Sequence, residues 1–141
     1  MLERERRLEA LSAADEGRLV ALADEVLRDF TVEVDRGPSV GLLMVRVEEP
    51  SERLPFNFTE VTVSEAEVSS GPHRGYAMVM GRSTGKALAA AVLDAALEAG
   101  HPLATRIEAE LEEALAQDEA KWRRRWARVA PTTATFEDVT G

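Results

Sequence analysis

An α+β fold, with a four-stranded antiparallel sheet packed against helices, is what this sequence of 141 residues predicts. Three observations predict it. Segments with an apolar residue at every second position occupy the middle of the chain. Segments with apolar residues every three or four positions lie on either side of them. The strand candidates are joined by turns and short loops, whereas parallel pairing would need a long crossover between each. A chain of this length buries about two thirds of its unfolded surface in one core, so residues 1–141 are read as a single domain.

The N-terminal part reads as two helices. Leu8 and Leu11, then Leu19, Leu22, Ala23 and Val26, recur at helical spacing, and the Ser12 to Gly17 stretch between them can cap a second helix from about Asp15 to Arg28. Phe30, Val32 and Val34 alternate with polar residues as in a half-buried strand. Gly37-Pro38-Ser39 reads as a turn, and Val40 to Val47 as an apolar strand packed on both faces, so the two strands make a hairpin candidate. Glu48 to Pro55, polar with two prolines, reads as a loop.

Phe58 to Val68 is the third strand. Val61 and Val63 share one face but Ala66 and Val68 the other, a change of phase that predicts a β-bulge near Ser64 or Glu65. Ser70-Gly71-Pro72 turns the chain into a fourth strand, Tyr76 to Gly81. Ser83 or Thr84 can cap an Ala-rich helix from Lys86 to Ala99, stopped by Gly100 and Pro102. Leu103, Ile107, Leu111, Leu115, Trp122, Trp126 and Val129 then mark one stripe on a long C-terminal helix. Thr132 to Gly141 is expected to be an extended tail, docked on a partner.

Composition narrows the function. The chain is 45% hydrophobic and 30% charged, within the range of folded proteins, and its formal net charge is -9. An acidic field repels phosphate backbones, so no nucleic-acid partner is expected. There is no cysteine, hence no thiolate metal site or disulfide framework. The charged start and the lack of a long apolar run point away from a signal peptide and a membrane span, making the cytoplasm the expected location.

Motifs with chemical content are few. Gly81-Arg-Ser-Thr-Gly85-Lys86 sits between a strand and a helix like a phosphate-binding loop, but only three residues separate the glycines and Ala87 stands where a hydroxyl would meet magnesium. Amides at that helix start, with Arg82 and Lys86, can still hold one anionic group. His73 and His101 read as solvated histidines in separate turns, and no metal site is expected. Glu65 and Glu67 share a strand face; two acids can do acid-base work if their pKa values are driven apart, though such a run is more often only the solvated side of a sheet. Lys121, Arg123, Arg124, Arg125 and Arg128 interleave with Trp122 and Trp126. Either the tryptophans face the core while the cations pair with the acidic run before them, or the segment is a protein interface.

Three blocks carry a resemblance: Gly41-Leu-Leu-Met-Val-Arg-Val47, Pro55-Phe-Asn-Phe-Thr-Glu-Val-Thr-Val63, and Gly75-Tyr-Ala-Met-Val-Met-Gly-Arg82 followed by an Ala-rich helix. Their order and spacing, with a late tail near Phe136, resemble PhnG, a subunit of the bacterial carbon-phosphorus lyase system. The resemblance implies a core complex with PhnH-, PhnI- and PhnJ-type subunits and a homo-oligomeric arrangement inside it. It also implies that the chain assists the PhnI-type subunit in replacing the adenine of ATP with an alkylphosphonate, giving α-D-ribose 1-alkylphosphonate 5-triphosphate. ATP and phosphonate would be substrates of the complex, with no cofactor held by this chain and no catalysis by it alone. Phe56, Asn57, Glu60, Thr62, Gly81, Arg82 and Lys86 are the candidate ligand or partner contacts, and Trp122, Trp126 and Phe136 the candidate interface.

The chain departs from the family pattern in two places. Ser64-Glu65 stands where a Thr-Arg pair is usual, and Gly81-Arg82-Ser83-Thr84 with Leu88-Ala89-Ala90 stands for Gly-Arg-Asp and His-Ala-Glu. No catalytic role is carried over to those positions. Two other readings of the residues stay open: a free-standing enzyme using Glu60, Arg82 and Lys86 on a phosphorylated ligand, and a homodimeric interaction module.

Overall fold

The computed structural model describes residues 2–49 and 54–129, with backbone alone at 45–49, 54–59, 122 and 125–129. Its elements run α1 (Arg4–Ala13), α2 (Glu16–Val26), β1 (Glu33–Glu49), β2 (Leu54–Ser70), β3 (His73–Met80), α3 (Thr84–Glu98) and α4 (Ala104–Val129). The class is α+β as expected, but the sheet among the described residues has three antiparallel strands in the order β1-β2-β3.

The missing strand is a fusion. The segments on either side of Gly37-Pro38 do not fold back on each other; both pair with β2, from Glu33 opposite Ser69 to Glu49 opposite Leu54. Gly37 and Pro38 are absorbed by register shifts between Val34 and Ser39, with Gly37 at φ +74 and a cis peptide to Pro38. A Cβ on Gly37 would stand 2.7 Å from the Glu65 carbonyl oxygen, so only glycine fits this close approach. The bulge expected at Ser64 or Glu65 therefore lies on the facing strand, and β2 stays in unbroken register with β3 from Val63 to Ser70. Strands also run into the predicted loop, to Glu49 and from Leu54. The cause is the ladder: seventeen-residue partners gain hydrogen bonds over their whole length, which outweighs the local turn preference of Gly-Pro.

Helices cover one face of this sheet. Along β2 the residues Ser64, Ala66 and Val68 are buried, opposite Val79, Ala77 and Gly75 of β3, and this is the face that α3 packs on. The Ala-rich α3 is apolar all round and buried on nearly every side, as a central helix must be. Its small side chains let it come close to the sheet. A Cβ on Gly75 would fall 2.0 Å from the Ala91 carbonyl oxygen and 2.8 Å from the Ala95 Cβ, so the glycine in β3 and the alanines in α3 are one packing solution. Around α3 lie α2, α1 and α4, contributing Leu11, Leu19, Val26, Ile107 and Leu111 to a single core cluster.

Local signals account for the helix ends. Asp15 caps α2 by accepting the Arg18 amide at 3.1 Å. At the end of α3 the His101 amide donates to the Ala96 carbonyl and the Gly100 amide to the Leu97 carbonyl, with Gly100 at φ +69, the paired closure of a Schellman motif. Ser83 does occupy the N-cap position of α3, but its side chain makes no capping hydrogen bond.

Candidate functional site

The residues singled out in the sequence fall in three places. First is the junction of β3 and α3. Gly81, at φ +84, donates its amide to the Thr62 carbonyl at 2.7 Å, ending β3 over β2. The Ser64 hydroxyl donates to the Gly81 carbonyl at 2.7 Å and accepts the Ser83 amide at 2.9 Å. One buried hydroxyl thus satisfies both a donor and an acceptor in a turn that leaves the sheet. Ser64 is fully buried on the helix side, which explains the change of phase along β2: a polar residue occupies an inward position that the apolar pattern skips.

The junction is not shaped for an anion by its own residues. Glu16 places a carboxylate oxygen 3.5 Å from where a Cβ on Gly85 would stand, so the first turn of α3 already faces an acid of α2. Lys86 points to the end of α1, its ammonium donating to the Ser12 carbonyl at 2.5 Å. Burial pushes its pKa down, while Glu16 and Asp15 pull the other way. Arg82 is exposed. Glu60 lies two residues beyond Thr62 along β2, on the same strand face, and is exposed. The structure therefore joins Thr62, Gly81 and Ser83 around Ser64, leaves Arg82 exposed, sets Glu60 further out, and directs Lys86 elsewhere.

Second is the outer part of β1 and β2, which carries Phe56 and Asn57 on its backbone, Asn57 opposite Val47; the side chains of 56 and 57 lie outside the described residues. β3 stops at Met80, opposite Val63, so beyond that rung the two long strands continue as a ribbon. Val40 to Val47 was expected to be packed on both faces. Instead Leu42 is 68%, Met44 53% and Leu43 39% exposed, because no helix or third strand of the described chain reaches them. Leu42 and Met44 pair with Thr62 and Glu60 on the helix side, and Leu43 pairs with Val61 on the other, so each side of the ribbon shows at least one exposed apolar side chain among the described residues.

Third is the C-terminal part of α4. Ile107, Leu111 and Leu115 are buried as the stripe predicts. The side chains of Trp122 and Trp126, and Phe136 with the rest of the expected tail, lie outside the described residues. The acidic run of α4 is paired elsewhere than expected: Arg18 takes Glu110 at 3.3 Å and Arg6 takes Glu119 at 3.2 Å. Among the described residues, Lys121, Arg123 and Arg124 are exposed and lack an acidic partner within ion-pair distance.

Sequence reasoning missed a buried charge cluster. Asp94, fully buried in α3, accepts from Arg7 Nε at 2.8 Å, from an Arg4 terminal nitrogen at 3.0 Å, and from the Tyr76 amide at 2.9 Å. Arg7, 5% exposed, also donates to Glu98, and that hydrogen bond holds the Glu98 carboxyl below its ordinary pKa. The signal was available: Asp94 is a lone charge inside an otherwise apolar helix, and such a charge must be paired. His101 was also misread. It is 8% exposed, accepts the Leu103 amide at Nδ1 and meets Asp29 through Nε2 at 2.8 Å, so both ring nitrogens are committed to tying α2 to the start of α4. On the open sheet face, Tyr76 donates to Glu65 at 2.9 Å, with Arg36 4.0 Å from Glu65 and Arg74 3.9 Å from Glu67. Burial and the Glu65 carboxylate push the Tyr76 pKa up to about 12.

Chemically, these groups hold the fold together; they do not converge on a shared space where a substrate atom would sit. Among the described residues no three His, Asp or Glu side chains are grouped to hold a metal ion. No helix among the described residues is long and apolar enough to cross a membrane. The sequence matches the family model for the phosphonate metabolism protein PhnG over residues 2–140. The chain belongs to the PhnG family. A search of curated proteins returns no significant match. Membership carries a role in phosphonate metabolism, and it spans all three places described above, from α1 to the residues beyond α4.

Proposed function

We propose that this chain is an accessory subunit of the carbon-phosphorus lyase core complex, working with PhnI-, PhnH- and PhnJ-type subunits in the use of organic phosphonates. In this reading it supports the PhnI-type subunit as that partner replaces the adenine of ATP with an alkylphosphonate, yielding α-D-ribose 1-alkylphosphonate 5-triphosphate. ATP and phosphonate are substrates of the assembly, and this chain contributes surface and no reactive group of its own.

The observation that supports the reading is the apolar ribbon. A two-stranded ribbon standing alone in water is marginal at best, and one exposing Leu42, Leu43 and Met44 is a liability unless something covers it.

Co-expression with the PhnI-type subunit tests it. The expected result is a gain in soluble yield and a complex that co-elutes in size exclusion, with triphosphate synthesis from ATP and methylphosphonate requiring both chains. A monodisperse monomer indifferent to that partner, or nucleotide turnover by the purified chain alone, would overturn it.

A further inference from the structure

Arg123 and Arg124 stand exposed on α4 without an acidic partner, and the acids that would suit them lie on the same helix. Glu112 and Glu113, also exposed, precede them by eleven positions. That is about 16 Å along a helix, too far for an ion pair within one chain. Among the described residues Glu112 has no ion-pair partner, and Glu113 meets only Arg18, at 4.0 Å.

These four charges share one face. At about 3.6 residues per turn, all lie within about 80° of the direction opposite the buried Leu111, as do Ala116 and Ala120. The ion pairs of Arg6 with Glu119 and of Arg18 with Glu110 tie α1 and α2 to the flanks of α4 and leave this face open.

Their spacing is symmetric about position 118. Glu112 lies six positions before it and Arg123 five after; Glu113 lies five before and Arg124 six after; Ala116 and Ala120 stand two to either side. A two-fold axis at that point lays a second α4 antiparallel to the first and brings like flanks together. Glu112 and Arg123 share one flank and Glu113 and Arg124 the other, so each acid of one copy meets an arginine of the second within about 1.5 Å of the same level. Every pair is made twice, and the small Ala116 and Ala120 let the two backbones approach at the crossing. A parallel pair would set acid against acid. The net charge of -9 acts at longer range and is screened over about 10 Å in 0.1 M salt, whereas the four cross-pairs are local.

We infer that the outer face of α4 is a docking surface for a second copy of this chain, paired antiparallel through Glu112 with Arg123 and Glu113 with Arg124. Exposed ion pairs are individually weak and two helices cover less than a standard interface, so the dimer is of micromolar affinity.

Sedimentation velocity on the isolated full-length chain tests it, independently of co-expression with the PhnI-type subunit. The wild type is expected to be a dimer at about 200 µM and a monomer at about 1 µM. Glu112→Arg with Glu113→Arg makes the face wholly cationic, and Arg123→Glu with Arg124→Glu makes it wholly acidic. Each double variant alone is expected to remain monomeric at the higher concentration, and an equimolar mixture of the two to regain a one-to-one dimer, since all four cross-pairs are then restored. Circular dichroism checks that both are folded. Should either helix fray, Glu112→Gln with Glu113→Gln is expected to raise the dimer Kd at least tenfold. A wild type that stays monomeric, a variant that dimerises like the wild type, or a mixture of folded variants that stays monomeric each overturns the inference. So does a monomeric wild type whose co-elution with the PhnI-type subunit is lost in Arg123→Glu with Arg124→Glu, which would give the face to a different subunit.

Discussion

Gly75 and Asp94 carry the tightest constraints on individual side chains. Gly75→Ala puts a methyl into the Ala91 carbonyl and the Ala95 side chain, and rigid backbone on both sides leaves little room to yield. The expected cost is about 3 kcal/mol, read by urea denaturation as a lower midpoint with an unchanged slope. Asp94→Ala strands the buried Arg7 guanidinium and the Tyr76 amide, and removing one partner of a buried pair costs about 3–5 kcal/mol. Ser64→Ala is milder, at about 1–3 kcal/mol for a buried amide left without its acceptor. Two pH effects follow from the shifted groups. Because Arg7 depresses the Glu98 pKa, the stability that pair adds is present above the ordinary carboxylate range and fades as acid protonates it. The melting-temperature gap between wild type and Glu98→Gln should therefore close as pH falls below about 4. The Tyr76 phenol has the opposite sign: its raised pKa means stability that is full below pH 10.0 and is lost as pH climbs towards about 12. Tyr76→Phe should flatten that alkaline limb in a thermal-melt series.

At the scale of elements, helices were legible and the sheet only in part. The two N-terminal helices, the Ala-rich helix and the long last helix each follow from spacing and from stop signals such as Gly100 and Pro102. Gly100→Ala is accordingly expected to cost about 1 kcal/mol, since its φ of +69 suits only glycine without strain. The sheet misled because Gly37-Pro38-Ser39 is ambiguous. The same dipeptide suits a reversal or a bulge, and the choice depends on a partner strand some thirty residues away, which local pattern does not encode. His101 misled for a similar reason. Its burial comes from Asp29 and Phe30, neither of which is near it in sequence.

For the molecule as a whole, the candidate site was legible as a family pattern and poorly legible as chemistry. The blocks around Gly41, Pro55 and Gly75 are the ribbon and the junction, so the resemblance fell on real structural units. What sequence could not reveal is that Leu42, Leu43 and Met44 are exposed, because a strand buried between two layers and a strand awaiting a partner share the same run of apolar residues. Nor could it reveal that Glu16 faces the start of α3, which turns a plausible anion site into an acidic one. Purified alone, the chain is expected to give no calorimetric signal with ATP, and Arg82→Ala is expected to change nothing in that measurement. A micromolar ATP affinity lost in Arg82→Ala would restore the enzyme reading.

The Asp94 cluster also constrains the order of events during synthesis. Arg7 and Asp94 are separated by 87 positions, so at about 5–20 residues per second the first helix waits about 4–17 s on the ribosome before its counter-charge is made. Until then its arginines have no buried acid to enter, and the helix must stay hydrated. The first helix of this chain is thus locked into place only once the sheet and most of α3 have been made, and a nascent chain stalled before Asp94 should leave that helix open to protease.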